Sequence, residues 1–201
     1  MKITMHNTTW QYGLGGLLIG GVLMWLFTAN GSNTFMRKSM MTTQMDAHFI
    51  EQMIPHHEDA ITMAKLALTK AKYPEIKQLS ESIIDSQSKE IDQMGAWYKE
   101  WFGREVPSGI QIMGQHGMMG GMGIHMGMMG DATDVSRLEQ AADFDKVFIE
   151  DMIPHHQMAV MMANMLKAGS QRPEMQKLAD DIITAQTREI NQMRQWYDAW
   201  Y

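Results

Sequence analysis

The chain has 201 residues, which is enough for one domain with a core and a short additional segment, but not for two large domains. Its net charge of −6 argues against the basic surface that nucleic-acid-binding proteins use, so nucleic acid is not an expected partner. The absence of cysteine excludes disulfides and thiolate metal sites, whereas 24 methionines supply an unusual number of soft thioether ligands.

The first predicted element is an uncharged apolar run over 12–29, whose length of about 18 residues is at the lower limit for a membrane-spanning helix. A cleaved signal peptide is the alternative, but Phe27 stands where a cleavage site prefers a small residue. The sequence therefore favours an inner-membrane anchor within 1–35. Methionine-rich, cysteine-free chemistry suits an oxidising compartment, so we expect the remaining chain to face the periplasm.

An internal repeat organises the rest of the chain. Residues 46–101 align with residues 145–200 without a gap, and 25 of the 56 pairs are identical. We therefore predict a domain over 44–201, which consists of a first half over 44–102, a linker over 103–134 and a second half over 135–201.

Each half has the pattern of a helical hairpin. Inward-facing positions are predicted at steps of three and four along the second helix of the first half, at Ile76, Leu79, Ile83, Gln87, Glu90, Met94, Trp97 and Trp101. Pro74 and Pro173 are expected to begin the second helix of each half, where a missing N–H costs nothing. Two hairpins predict an all-α, antiparallel four-helix bundle with pseudo-twofold symmetry.

Pro55 and Pro154 fall within the first helix of each half, immediately before a pair of histidines. Proline removes a main-chain hydrogen bond and bends a helix. Two interpretations remain open at this point. Each proline either begins a new helical segment after a short break, or produces a kink that directs the histidine pair towards the bundle interior.

The linker contains a segment, 113–130, that is almost entirely Met, Gly and His. Its glycines disfavour a helix, and its methionines have no packing periodicity, so they are not expected to form a core stripe. A flexible linker of drifted composition is the alternative. Thioether and imidazole together suit Cu(I), which makes the expected ligands His116, Met118, Met119, Met122, His125, Met126, Met128 and Met129.

The paired histidines are a second candidate metal site, because they recur at equivalent points of the repeat and would approach one another in a symmetric bundle. The predicted ligands are His56, His57, His155 and His156, with the methionines on the same helical faces, Met53, Met63, Met152 and Met162. Met158, Met161 and Met165 extend the second stripe. The alternative is that the methionines fill the core and the histidines are hydrogen-bonded helix residues.

Two further groups of residues are less decisive. Gln87, Glu90, Gln186 and Glu189 interrupt apolar stripes; they either hydrogen-bond ligand histidines or point into solvent. A series between the apolar segment and the domain is a weaker metal candidate, because Val147 stands where a counterpart of His48 would be. That series consists of Met36, Met40, Met41, Met45 and His48.

These motifs carry a resemblance to a known family. The duplicated Met-Ile-Pro-His-His element, the Gln-x-x-Glu-Ile-x-Gln-Met-x-x-Trp-Tyr helix and the Met/Gly/His linker resemble the domain-of-unknown-function family numbered 305, which includes CopM-like copper-binding proteins. The resemblance covers residues from about 44 to 201. It implies a ferritin-like four-helix bundle, export, and copper binding linked to resistance. The family's paired histidines correspond to His56, His57, His155 and His156, and its Met-rich segments to 113–129.

Two functions from different classes follow. The first is a copper-binding protein without turnover, which holds Cu(I), Ag(I) or Cu(II) and buffers it or passes it to a copper exporter or oxidase. The second is a ferritin-like di-iron oxidase or cuprous oxidase. A di-iron site would use Glu-x-x-His, and the sequence has Met53 and Ile54 three positions before His56 and His57. The sequence therefore favours binding over catalysis.

Overall fold

The computed structural model describes residues 44–107 and 135–201, which are helical with no strand in these two ranges. Helix α1 covers 44–70, α2 Pro74–Phe102, α3 Val135–Glu139, α4 Phe144–Gly169 and α5 Pro173–Trp200. All of these residues belong to one compact unit, Gln44–Tyr201. None of the described helices is long and apolar enough to cross a membrane, and the anchor predicted over 12–29 lies outside the described residues.

The helix ends follow local sequence signals. Helices α2 and α5 begin at Pro74 and Pro173, as predicted. An N–H in the first turn of a helix has no intrahelical acceptor, so proline loses no hydrogen bond there. Helix α2 ends before Gly103, whose φ of 67° is left-handed and whose N–H donates to the carbonyl of Lys99. The connections over 71–73 and 170–172 are each three residues long, so the paired helices of each half run antiparallel.

Helices α1 and α4 continue through Pro55 and Pro154. The predicted alternative of a break followed by a new helical segment is therefore wrong. In each half the second histidine after the proline is directed inward, since His57 and His156 are both fully buried. The inward placement is the one that the other alternative predicts.

Two apolar clusters form the core. The first contains Met63 of α1 with Met152 of α4, and the second contains Met53 of α1 with Met162 of α4. Because the earlier residue of one helix packs with the later residue of the other, α1 and α4 run antiparallel. The histidine pairs at 56–57 and 155–156 occur midway along this crossing, between the two clusters.

The inward stripe of α2 differs from the prediction at its end. Ile76, Leu79, Ile83, Gln87 and Met94 are buried as expected, but the next fully buried residue is Tyr98 rather than Trp97 or Trp101. Because a helix has 3.6 residues per turn, positions at repeated steps of three and four shift gradually around the helix axis. The residue four positions after Met94 therefore remains on the buried face. Trp97 and Trp101 are half-buried and stack on each other, with ring centroids 5.3 Å apart.

Buried aspartates connect the halves reciprocally. The Asp145 carboxylate in α4 accepts the Lys72 N–H at 3.1 and 3.0 Å, so the second half holds the α1–α2 connection. The Asp46 carboxylate in α1 lies 3.2 Å from the Arg172 Nε atom, so the first half holds the α4–α5 connection. Both aspartates are almost fully buried, at 0% and 1% exposure. We call these two contacts the reciprocal braces.

Aromatic contacts at the ends of the domain connect the two halves in the same reciprocal way. Tyr73 of the first half stacks on Trp200 of the second, with ring centroids 3.7 Å apart and planes 3° from parallel. The guanidinium of Arg172 in the second half lies 4.2 Å from the ring centre of Trp101 in the first. Each connection therefore packs on the last turn of the other half's final helix.

Candidate metal site

A layer of buried and half-buried polar side chains separates the two apolar clusters. Helices α1 and α4 supply the histidine pairs, and α2 and α5 each supply a glutamine and a glutamate spaced three residues apart. We call this group the central layer; it comprises His56, His57, His155, His156, Gln87, Gln186, Glu90 and Glu189. Polar groups in such a position need partners, because water cannot compensate them.

Two histidines of the central layer are fixed by glutamates. The Nε2 atom of His57 lies 2.7 Å from Oε2 of Glu90, and the Nε2 atom of His156 lies 2.7 Å from Oε2 of Glu189. The glutamates therefore face inward to the histidines, and the alternative that places them in solvent is wrong. Because an ionised carboxylate can only accept, Nε2 carries the hydrogen, and in the neutral ring the lone pair lies on Nδ1.

The other two histidines meet across the interface between the halves. The ring centroids of His56 and His155 are 3.7 Å apart, and their planes are tilted by 37°. His57 and His156 are one residue further along, with centroids 6.4 Å and 6.2 Å from these two rings. The pairs thus approach one another, as the repeat predicts.

The central layer has more hydrogen-bonding capacity than its members use. The Nδ1 atoms of all four histidines, Nε2 of His155 and the Oε1 atoms of Gln87 and Gln186 are buried without a hydrogen-bond partner. Leaving one such group unsatisfied costs roughly 1–3 kcal/mol, and the costs of several accumulate in one layer. Imidazole nitrogens with a lone pair and amide oxygens can act as metal ligands. A bound cation would therefore supply a partner for these unpaired atoms of the central layer.

Burial keeps two of the rings neutral. It is the main reason that the pKa of His56 falls to about 3, and the neighbouring His57 and His156 add to the decrease. Burial likewise holds the pKa of His155 well below its usual value, with contributions from His56, His156 and His57. A neutral imidazole is the form that binds metal, so both rings are ready to act as ligands at neutral pH.

The metal-free protein is therefore expected to lose stability as the pH falls from 7 towards 4. The His56 pKa is 6.5 in its ordinary state and about 3 in the fold, so between these values only the unfolded chain binds the proton. The free energy of unfolding should decrease by roughly 2 kcal/mol at about pH 5 from His56 alone. Denaturant unfolding measured from pH 7 to pH 4 tests this.

A His56→Gln variant is the control for the pH dependence, because it keeps a polar side chain but has no ring to titrate. Glu90 of α2 and Glu189 of α5 face the layer together with His57, His155 and His156, and they remain in both proteins. The difference between the two slopes therefore isolates His56. Equal slopes would contradict the expected result.

The predicted methionine ligands occupy the apolar clusters. Met53 lies in the second cluster with Met162, and Met63 lies in the first with Met152; none of them is more than 7% exposed. Their packing agrees with the alternative in which they fill the core. Within 44–107 and 135–201 no three His, Asp or Glu side chains form a group arranged to hold a metal ion. The predicted ligands from His116 to Met129 lie outside the described residues.

The other carboxylates near the histidine pairs are engaged elsewhere. Glu51 accepts a hydrogen bond from the Tyr98 hydroxyl, and Glu150 accepts one from the Tyr197 hydroxyl at 2.8 Å. Burial is the main cause that raises the pKa of Tyr98 to about 12, and the hydrogen bond to Glu51 adds to it. Glu51 and Glu150 are thus held by tyrosines of the following helix and not by the histidine pairs.

Solved structures of CopM are similar to this chain. The Cu(II)-bound form is 52% identical with a TM-score of 0.67, and it covers 78% of this chain and 97% of its own. The Cu(I)-bound form is 48% identical with a TM-score of 0.65, covering 78% and 97%. A silver-bound form obtained by soaking has the same identity and TM-score, covering 78% and 96%. These proteins share the helical fold described above.

Two more distant relatives extend the comparison. A DUF305 fragment from Deinococcus radiodurans is 26% identical, with a TM-score of 0.62 and coverage of 77% of this chain and 96% of that one. Uncharacterized protein L153 of Acanthamoeba polyphaga mimivirus is 47% identical over 51 residues, which are 25% of this chain and 34% of that protein. The match thus spans about a third of the viral protein.

The family described as "Domain of unknown function (DUF305)" matches residues 46–197, which include both halves and the linker between them. The structural relatives agree with this match over the same part of the chain. This chain belongs to the DUF305 family.

Proposed function

We propose that this protein binds copper as its cargo, without turnover, and buffers or transfers it outside the cytoplasm. The observation that carries the proposal is the central layer, where four buried imidazole Nδ1 atoms lack partners. Imidazole suits copper, and burial keeps His56 and His155 in the neutral form that a metal requires. Copper is thus the bound species that the layer's chemistry favours.

The glutamates give the central layer a second property of metal sites. A ligand histidine commonly donates its other ring N–H to a carboxylate, which fixes the ring and increases the basicity of the ligating nitrogen. Glu90 and Glu189 stand in this relation to His57 and His156. We therefore assign the Nδ1 atoms of His57 and His156 as ligands and the two glutamates as positioning residues.

The choice of ion rests on ligand type and on the relatives. CopM has been solved with Cu(I), Cu(II) and silver, at 48–52% identity to this chain. In this chain, neutral imidazole and thioether are available, whereas cysteine is absent. We propose Cu(I) as the principal cargo, with Ag(I) bound as a chemical equivalent and Cu(II) at the histidines.

The rest of the proposal concerns the parts of the chain around the central layer. The helices would form a ferritin-like antiparallel four-helix bundle, anchored by 12–29 in the inner membrane and facing the periplasm. The segment 113–129 would supply a second group of ligands from its Met and His residues. Exchange between weak thioether sites would favour delivery to a copper exporter or oxidase, in a role that supports copper resistance.

An anaerobic Cu(I) titration with a chromophoric competitor tests the function, using the full chain beside a variant that lacks 113–129. Deletion is expected to lower the number of bound ions while leaving binding by the central layer. Complete loss of binding would remove the central layer from the proposal, and an unchanged number would remove the linker. If neither protein competes for Cu(I), copper binding is wrong and the oxidase alternative returns.

A further inference from the structure

Three of the four exposed large apolar side chains in the described ranges are methionines. The four side chains are Met45 at 39%, Met161 at 50%, Met165 at 57% and the terminal Tyr201 at 45% exposure. No leucine, isoleucine or phenylalanine of these ranges belongs to that set. A surface selected only for apolar contact would use such residues as well, so the predominance of thioethers indicates a role for sulfur.

Two of the three exposed methionines lie on one face of α4, and the third comes from α1. Met161 and Met165 are four residues apart, which places their Cβ atoms about 5–6 Å from each other on a helix. Gly169 is one further turn along the same face, and a Cβ added there would overlap the thioether of Met45 from α1. The glycine therefore makes room for the Met45 thioether at the turn of α4 that follows Met165. We call Met45, Met161 and Met165 the thioether row.

Packing of the helices does not require this row. In the first half, Thr62, Leu66 and Lys70 occupy the positions equivalent to Met161, Met165 and Gly169. The two halves thus share their inward residues, such as Met63 and Met162, and differ on this outer face. Two of the three equivalent positions in the first half carry polar residues and the third carries Leu66, so the fold does not need sulfur on this face. This separates Met161 and Met165 from the core-filling methionines.

We propose that the thioether row is a solvent-facing binding site for a soft monovalent cation, Cu(I) or Ag(I), separate from the central layer. Flexible thioethers at adjacent turns can converge on one ion, and they bind it without losing protons. The net charge of −6 favours the approach of a cation. Because the row is exposed, it can take up and release the ion faster than the buried layer.

The test uses the full chain with ¹³C-labelled methionine methyl groups and a titration with Ag(I). The resonances of the row, identified from single Met→Leu variants, should shift together as Ag(I) is added. A Met161→Leu, Met165→Leu double variant should bind one Ag(I) fewer than the unaltered protein. Leucine preserves apolar volume and removes sulfur, so a surface that serves only to dock another protein would not change its Ag(I) binding.

Met175→Leu is the matched control, because Met175 is buried and its replacement should leave the number of bound ions unchanged. Gly169→Ala tests the third ligand: its Cβ displaces the Met45 thioether and should weaken the site severalfold while the helix persists. Equal Ag(I) binding by the double variant would overturn the proposal, and an unaltered affinity in Gly169→Ala would overturn the place of Met45 in it. Neither result depends on the histidines, so failure here is distinguishable from failure of the central layer.

Discussion

Replacing His57 and His156 together by glutamine is expected to lower the copper affinity of the central layer by more than about 100-fold. Loss of an outer hydrogen-bonding partner typically costs about 10–100-fold in metal affinity, and loss of the ligands themselves should exceed this. The measurement is an anaerobic competition titration in the variant that lacks 113–129, where the linker contributes nothing. Both histidines have 0% exposure, so helical content and thermal unfolding must be followed in parallel.

His48→Gln is the control for this experiment. His48 lies on α1 as well, but it is exposed and has valine as its equivalent in the second half. Its replacement should leave the affinity unchanged. A folded His57→Gln, His156→Gln protein with undiminished affinity in this linker-deleted variant would exclude the central layer as the copper site and leave the thioether row as the candidate.

Replacing Glu90 and Glu189 by glutamine is expected to weaken copper binding by about 10–100-fold without removing it. The amide oxygen can still accept the hydrogen bond from Nε2, but it lacks the charge that increases the basicity of the ring. The affinity is measured in the same deletion background, and unfolding by denaturant shows that the fold is kept. The decrease should therefore be smaller than that caused by the histidine replacements.

The comparison between the two double variants also distinguishes the competing functions. If the glutamates were direct ligands of iron, their replacement would abolish iron binding and affect copper little. A loss of copper affinity greater than in the histidine variant would contradict the assignment of Glu90 and Glu189 as positioning residues. Unchanged affinity would show that their hydrogen bonds do not tune the histidines.

Much of the fold follows from local sequence. Pro74 and Pro173 mark helix starts because their geometry suits only the first turn, and the stripe from Ile76 to Met94 is buried because its spacing matches the helical period. Pro55 shows the limit of this reasoning. Whether a helix breaks or continues at a proline depends on how firmly the flanking turns pack, and that information is not local.

The central layer could be predicted in part. The repeat placed the histidine pairs at equivalent positions, and the spacing of Glu90 from Met94 made the glutamate part of the stripe in which inward-facing positions are expected. The sequence left two alternatives for Glu90, because a residue at the edge of a stripe can turn inward or outward. The contact at 2.7 Å with His57 depends on the rotation of two helices about their axes, which periodicity does not determine.

The methionines were harder to assign. Met161 and Met162 are neighbours, yet one is 50% exposed and the other 7%. The sequence alone does not reveal this difference in exposure, because thioethers suit both a core and a metal site. The contact between Met45 and Gly169 joins the beginning of α1 to the end of α4, so no short segment of sequence reveals it.

The reciprocal braces bear on how such a domain can be assembled from smaller parts. Asp145 of the second half accepts a hydrogen bond from the α1–α2 connection of the first half, and Asp46 of the first half contacts the α4–α5 connection of the second. A single hairpin would therefore lack the aspartate that holds its connection, and it would also lack the opposite face of its core. A single hairpin could complete these contacts with a second copy of itself. The duplication therefore has the geometry of a homodimer whose two chains became joined, and joining freed each copy to change separately. The exposed face of α4 shows the result, since it differs from its counterpart while the buried contacts have stayed paired.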